Sequence, residues 1–175
     1  MNRRTAIRNV IIISAAAGLL PSCVGDDKGS IVLKNISITG SQERMLAALC
    51  EAIIPRTENF IGANDLGAHE FLLTMIDDCT SPDDQKKFTQ GLQAFDKLSH
   101  DAFGQLFTGY TAEQKKELLQ SIESKKDVPE EVLGFYATVK RYTLQSFTSS
   151  KDYLTDIKKY KIIPGSNFKG CVPAS

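Results

Sequence analysis

From position 41 onward the apolar residues of this chain return every three or four places, in blocks opened by capping side chains and closed by proline. That spacing gathers them on one face of an α-helix, and the same stretch holds no period-two run long enough for a useful strand. Met45, Leu46, Leu49, Cys50 and Ile53 share one stripe, opened by Thr39 with Gln42 as a capping box or by Ser41 with Glu43 in the first turn. Pro55 ends it, because the residue before a proline is pushed out of the α region. A loop over 56–62 follows. A second helix is expected from Asn64 or Asp65 to about Cys79, burying Leu66, Leu72, Leu73, Met75 and Ile76.

The third helix has the plainest start: Ser81 at the N-cap, Pro82 at the first position, and Asp83 and Asp84 at the positive end of the dipole. Phe88, Leu92 and Phe95 follow it. Thr111 with Gln114 opens a fourth helix around Leu118, Leu119 and Ile122. Pro129, Glu130 and Glu131 open the longest, striped by Phe135, Val139 and Tyr142, with Tyr136, Thr143 and Phe147 beside them. Ser150 is placed to cap a short last helix to about Lys159. The prolines and glycines of the final stretch, KIIPGSNFKGCVPAS, allow no element to run through it. The expected fold is all-α: a single-domain bundle of five to six helices over 41–175, with an extended C-terminal tail.

The N-terminus reads as an address. Arg3, Arg4 and Arg8 precede an apolar run from Val10 to Leu20. That run is shorter than the ~20 residues of a membrane-spanning helix and suits a signal peptide over 1–22. The Arg3-Arg4 pair is twin-arginine-like, and two arginines also occur in general secretory signals. Leu20-Pro21-Ser22-Cys23 resembles a bacterial lipobox, which would make Cys23 a diacylated first mature residue; cleavage near Ser22 with Cys23 as an ordinary thiol is the alternative. Residues 23–40 are expected to act as a tether, with an extended segment near Ile36 and Ile38 docking at its end. The expected location is the periplasmic side, as a membrane-anchored lipoprotein.

Charge narrows the partners. The chain has 21 Lys+Arg and 21 Asp+Glu; loss of Arg3, Arg4 and Arg8 with the leader would leave 18 against 21. A mildly acidic chain lacks the basic footprint of a nucleic-acid binder. There is no GxGxxG, no P-loop and no CxxC. Of two histidines, His69 has Glu70 beside it and Asp65 one turn earlier, a sparse start for a metal or small-molecule site. His100 lies in Ser99-His100-Asp101, where sequence adjacency does not make a triad. Asp77-Asp78 and Asp83-Asp84 are read as serving helix ends, and Lys115-Lys116 as a solvated face. No catalytic residue, bound cofactor or metal is expected in this chain. With Cys23 lipidated, Cys50 reads as a core residue, while Cys79 and Cys171 are candidates for a disulfide; three separate thiols are the alternative.

Four stretches, in order, carry a resemblance: LCEAIIPRTENFIGANDLGAHEFL (49–72), FTQGLQAFD (88–96), FYATVKRYTLQSFTSSKDYL (135–154) and IPGSNFKGCVP (163–173). Together they resemble the gluconate 2-dehydrogenase subunit 3 family. The loop departs from the family pattern at Glu58–Gly62, where an Asp and a Pro often stand before Gly-Ala. The resemblance implies a small, non-catalytic accessory subunit that binds, stabilises and helps export a large flavoprotein of the glucose-methanol-choline class. FAD would sit in that partner, which oxidises a sugar or sugar acid and passes electrons to a cytochrome. A stand-alone lipoprotein with a site near His69 is the competing reading. For the accessory role, the apolar side chains on irregular segments, Phe60, Ile61, Ile163 and Phe168, are the interface candidates.

Overall fold

The computed structural model describes residues 27–160. Cys23, Cys171, Ile163, Phe168, the leader and the C-terminal tail lie outside the described residues. Five α-helices make the body: α1 (Gly40–Ile53), α2 (Ala68–Cys79), α3 (Pro82–Phe103), α4 (Ala112–Glu123) and α5 (Glu130–Thr148). A 3₁₀ turn, Phe107–Gly109, joins α3 to α4, and a π turn, Tyr153–Ile157, follows α5. Among the described residues the fold is an all-α bundle without strands; a single bridge pairs Lys28 with Thr39.

Local capping builds most helix starts. Thr39 and Gln42 form the capping box of α1, and Thr111 and Gln114 that of α4. The Ser81 hydroxyl accepts from Asp84 N at the head of α3, and Gly104 closes that helix at φ 67°, a conformation glycine adopts without strain. Pro129 occupies the N-cap of α5, one place before its expected position. Ser150 Oγ accepts from Tyr153 N, but the turn it heads is π-helical. The second helix starts later than the sequence implies, at Ala68. Asp65 is unavailable as its cap: its carboxylate accepts from Gly62 N at 2.8 Å and Arg56 Nη1 at 2.7 Å. Gly67, at φ 60°, turns the chain into the helix instead.

α5 is the hub. It packs most extensively on α3 and also meets α2, α1 and α4. Gly91 allows the α3–α5 approach, since a Cβ there would lie 2.5 Å from Phe135 Cβ and 2.7 Å from Glu131 O. A run of aromatic rings fills the space beside that crossing. Phe135 lies 5.4 Å from Phe88 and 5.5 Å from Phe95, and Phe95 lies 5.3 Å from Phe107. Tyr110 continues the run at 5.2 Å from Phe107. Cys50 is fully buried, accepts from Thr143 Oγ1 at 3.3 Å, and has its thiol pushed up to about 11, chiefly by burial.

Much of the stretch expected as a tether is fastened to the bundle. Asp77 is buried on α2 and accepts from the backbone N–H groups of Lys34 (2.8 Å), Asn35 (2.7 Å) and Ile36 (2.9 Å). Asn35 Nδ2 donates back to Asp77 O at 2.8 Å. Asp77 therefore holds a remote segment rather than serving the end of its own helix. Burial raises its pKa, but the three N–H donors and Lys34 outweigh it and hold the carboxyl below its ordinary value. Farther back, Glu43 accepts from Ser30 N at 2.6 Å and from the Ser30 hydroxyl, and Asp27 Oδ2 accepts from Ser41 N at 2.8 Å.

Candidate partner-binding surface

The loop between α1 and α2 is irregular in outline and closely held. Glu51, in the last turn of α1, accepts from Arg56 N at 2.8 Å and Asn64 N at 2.9 Å, so one carboxylate fixes both ends of the loop. Ala63 N donates to Ile54 O at 2.9 Å, and Ala63 is fully buried beneath. At the tip, Thr57 N donates to Phe60 O at 3.0 Å and Phe60 N donates to Thr57 Oγ1 at 3.1 Å. Gly62 is required by space: a Cβ would meet Glu51 Oε1 at 2.6 Å and Arg56 N at 2.7 Å. These bonds hold the Phe60 ring outward, 49% exposed, with Ile61 half-buried beside it.

Opposite the tip stands the end of α5 with the π turn. Phe147 and Tyr153 meet edge to face at 5.4 Å. A cleft of about 50 Å³ lies between them and the loop, lined by Phe60, Ile61, Phe147, Tyr153 and Ile157, with Asp152 and Asp156 beside them. Leu144 (42% exposed), Ile157 (40%) and Tyr160 (58%) add further open apolar surface in these segments. A tightly braced loop presenting an aromatic ring beside other exposed apolar side chains suits burial against another protein.

The other sequence candidates are dispersed. His69 lines a pocket of about 260 Å³ with Lys28, Ser30, Glu43 and Arg44, and its buried Nδ1 has no hydrogen-bond partner. Asp65, expected nearby as a possible co-ligand, is committed to Arg56 and Gly62, and Glu43 to Ser30. Among the described residues no group of three or more His, Cys, Asp or Glu is placed to hold a metal. Ser99 and His100 form no triad: Ser99 Oγ donates to Asp96 O, and His100 O accepts from Gly104 N at the end of α3. Cys79 is exposed at the end of α2. Among the described residues no helix is long and apolar enough to cross a membrane.

A family model described as gluconate 2-dehydrogenase subunit 3 matches residues 40–165, from the first residue of α1 past the π turn. The chain belongs to the gluconate 2-dehydrogenase subunit 3 family. Membership makes it a subunit of a multi-subunit dehydrogenase, in which the braced loop and the end of α5 both fall inside the matched region. No curated protein and no solved structure matches this family member.

One surface escaped sequence reasoning. Lys115 and Lys116, expected as a solvated face, border a groove of about 520 Å³ whose apolar floor includes Ala52, Ile53 and Leu119. Tyr136 and Lys140 of α5 form its far wall. There Tyr136 OH donates to Glu123 Oε1 at 2.8 Å, and Lys140 Nζ reaches the same oxygen at 2.5 Å. Burial, then the Glu123 contact, pushes the Tyr136 phenol up; the Lys140 and Tyr136 hydrogen bonds hold Glu123 down. Only the doubled lysines signalled this groove in the sequence, because its walls come from three separate helices.

Proposed function

We propose that this chain is the non-catalytic small subunit of a periplasm-facing, FAD-dependent sugar or sugar-acid dehydrogenase. It binds and stabilises a large glucose-methanol-choline-type flavoprotein and assists its export. FAD belongs to that partner, and a cytochrome accepts its electrons. Cys23 anchors the subunit through diacylation, a two-chain attachment strong enough for stable membrane association. Cys79 and Cys171 form a disulfide on the exported side.

The observation that supports this reading best is the brace on Phe60. Glu51, Thr57 and Gly62 hold an aromatic ring half in water, and a folded monomer gains little by keeping it there. Specific interfaces bury ~800 Å² per partner and draw their affinity from such anchors. Phe60→Ala with Ile61→Ala is expected to abolish co-purification of the large flavoprotein while leaving the melting temperature of the isolated subunit nearly unchanged. Retained co-purification by a folded double variant overturns the reading. In the same host, Cys23→Ala is expected to move the subunit from the membrane to the soluble fraction.

A further inference from the structure

We infer that the lysine-bordered groove and the Phe60 cleft are two ends of one docking strip, and that its occupant is an apolar segment of the dehydrogenase partner carrying carboxylates at the end that meets Lys115 and Lys116. The inference rests on the proposed partner binding and adds the chemistry of the segment bound.

Continuity comes first. Tyr136, Lys140, Leu144 and Phe147 recur at helical spacing along one side of α5. Tyr136 and Lys140 wall the groove, whereas Phe147 lines the cleft. Leu144 lies between them in this register and is 42% exposed. Eleven residues of α-helix separate the two ends by ~16 Å. The 55–61 loop spans the same interval, for Pro55 lines the groove while Phe60 and Ile61 line the cleft.

Charge then selects the occupant. The two acids of the groove are already committed: Glu51 to Arg56 N and Asn64 N, Glu123 to Tyr136 and Lys140. Among the described residues neither Lys115 nor Lys116 has an ion-pair partner, and Lys115 leans over the Phe107 ring at 5.7 Å. A groove with an apolar floor, satisfied acids and uncommitted ammonium groups favours an apolar ligand bearing carboxylates over a neutral or basic one. The cleft at the other end combines Phe60, Phe147 and Ile157 with Asp152 and Asp156, whose carboxylates repel like charge, so it suits the part of the segment that carries no carboxylate.

The test uses the full chain purified with its large subunit. Lys115→Glu with Lys116→Glu is expected to weaken association about tenfold or more at low salt and to flatten its salt dependence. The melting temperature of the subunit should not move, and Lys97→Glu on the exposed side of α3 should change nothing. A photo-crosslinker in place of Gln120, an exposed residue on the groove, should capture a partner peptide containing Asp or Glu among apolar residues. If the lysine reversal leaves affinity intact while Phe60→Ala with Ile61→Ala abolishes it, the interface ends at the cleft and the strip is overturned alone. If both variants bind normally, the strip falls together with the proposed function. Should the lysine reversal unfold the subunit, the crosslink decides: an acidic, apolar peptide supports the strip, and no capture or a basic peptide overturns it.

Discussion

Gly91 of α3 and Phe135 of α5 meet where there is no room for a methyl group, 2.5 Å separating the Phe135 Cβ from the place a Gly91 Cβ would take. The next neighbour is the Glu131 carbonyl at 2.7 Å, one turn earlier on the same helix as Phe135 and backbone that cannot rotate away. The most extensively packed helix pair in the bundle therefore depends on one missing side chain.

Gly91→Ala should cost about 1–3 kcal/mol, because α3 must retreat from α5 and loosen the Phe88, Phe95 and Phe135 contacts. Gly134, on the outer side of α5, has nothing within 4 Å of the place its Cβ would take and should respond oppositely. Gly134→Ala is expected to stabilise by ~0.5–1 kcal/mol through helix propensity alone. Urea unfolding of both variants checks the pair; equal effects would remove the steric account.

Asp77 gives the bundle a pH dependence of known sign. Its folded pKa lies below the ordinary 3.8, so its stabilisation is complete above that value and fades as pH falls through the depressed folded one. Asp77→Ala should cost about 2–4 kcal/mol near neutrality, since three backbone donors lose a charged acceptor. The penalty should shrink in acid as the wild type loses the same carboxylate. Unfolding free energies for the two chains across the acid range should converge, and parallel curves would count against Asp77 as the source.

How far these contacts were legible in the sequence depends on their reach along the chain. The starts of α1, α3 and α4 were readable because Thr39, Ser81 and Thr111 act on donors three residues away. The role of Asp77 was not, because its partners lie 41 to 43 residues upstream. Asp65 misled for a similar reason: a good capping residue by type, it is drawn to Arg56 and Gly62. Phe107 and Tyr110 sit in a segment too short for periodicity, yet both are core. At the candidate surface, Phe60 stood out as an aromatic on an irregular loop. Its neighbours Phe147, Tyr153 and Ile157 lie 87 to 97 residues farther along the chain, and no local pattern joins them.

The two described cysteines should differ sharply in reactivity. Cys50 is fully buried, with its thiol pushed up to about 11, whereas Cys79 is exposed. In reduced, folded protein at mildly alkaline pH, an alkylating agent should modify Cys79 promptly and Cys50 only as fast as the domain opens. Mass mapping of a labelling time course separates the two, and early labelling of Cys50 would contradict its place in the core.

The brace on the 56–62 loop can be cut without touching the ring it presents. Glu51→Ala removes the acceptor shared by Arg56 N and Asn64 N. Both donors lie near the surface and can turn to water, so the global cost should be modest, ~1 kcal/mol. Gly62→Ala attacks the same clamp from the other side, by driving a methyl into the Glu51 carboxylate and the Arg56 N–H. Amide exchange should then quicken across 56–62 in both variants while α3 and α5 keep their protection. Because a loosened loop must be ordered again on binding, each variant should also bind the large subunit more weakly with Phe60 and Ile61 intact. Unchanged exchange in the loop would show that other contacts hold it. Faster exchange with unchanged binding would show that the partner does not depend on a preformed loop.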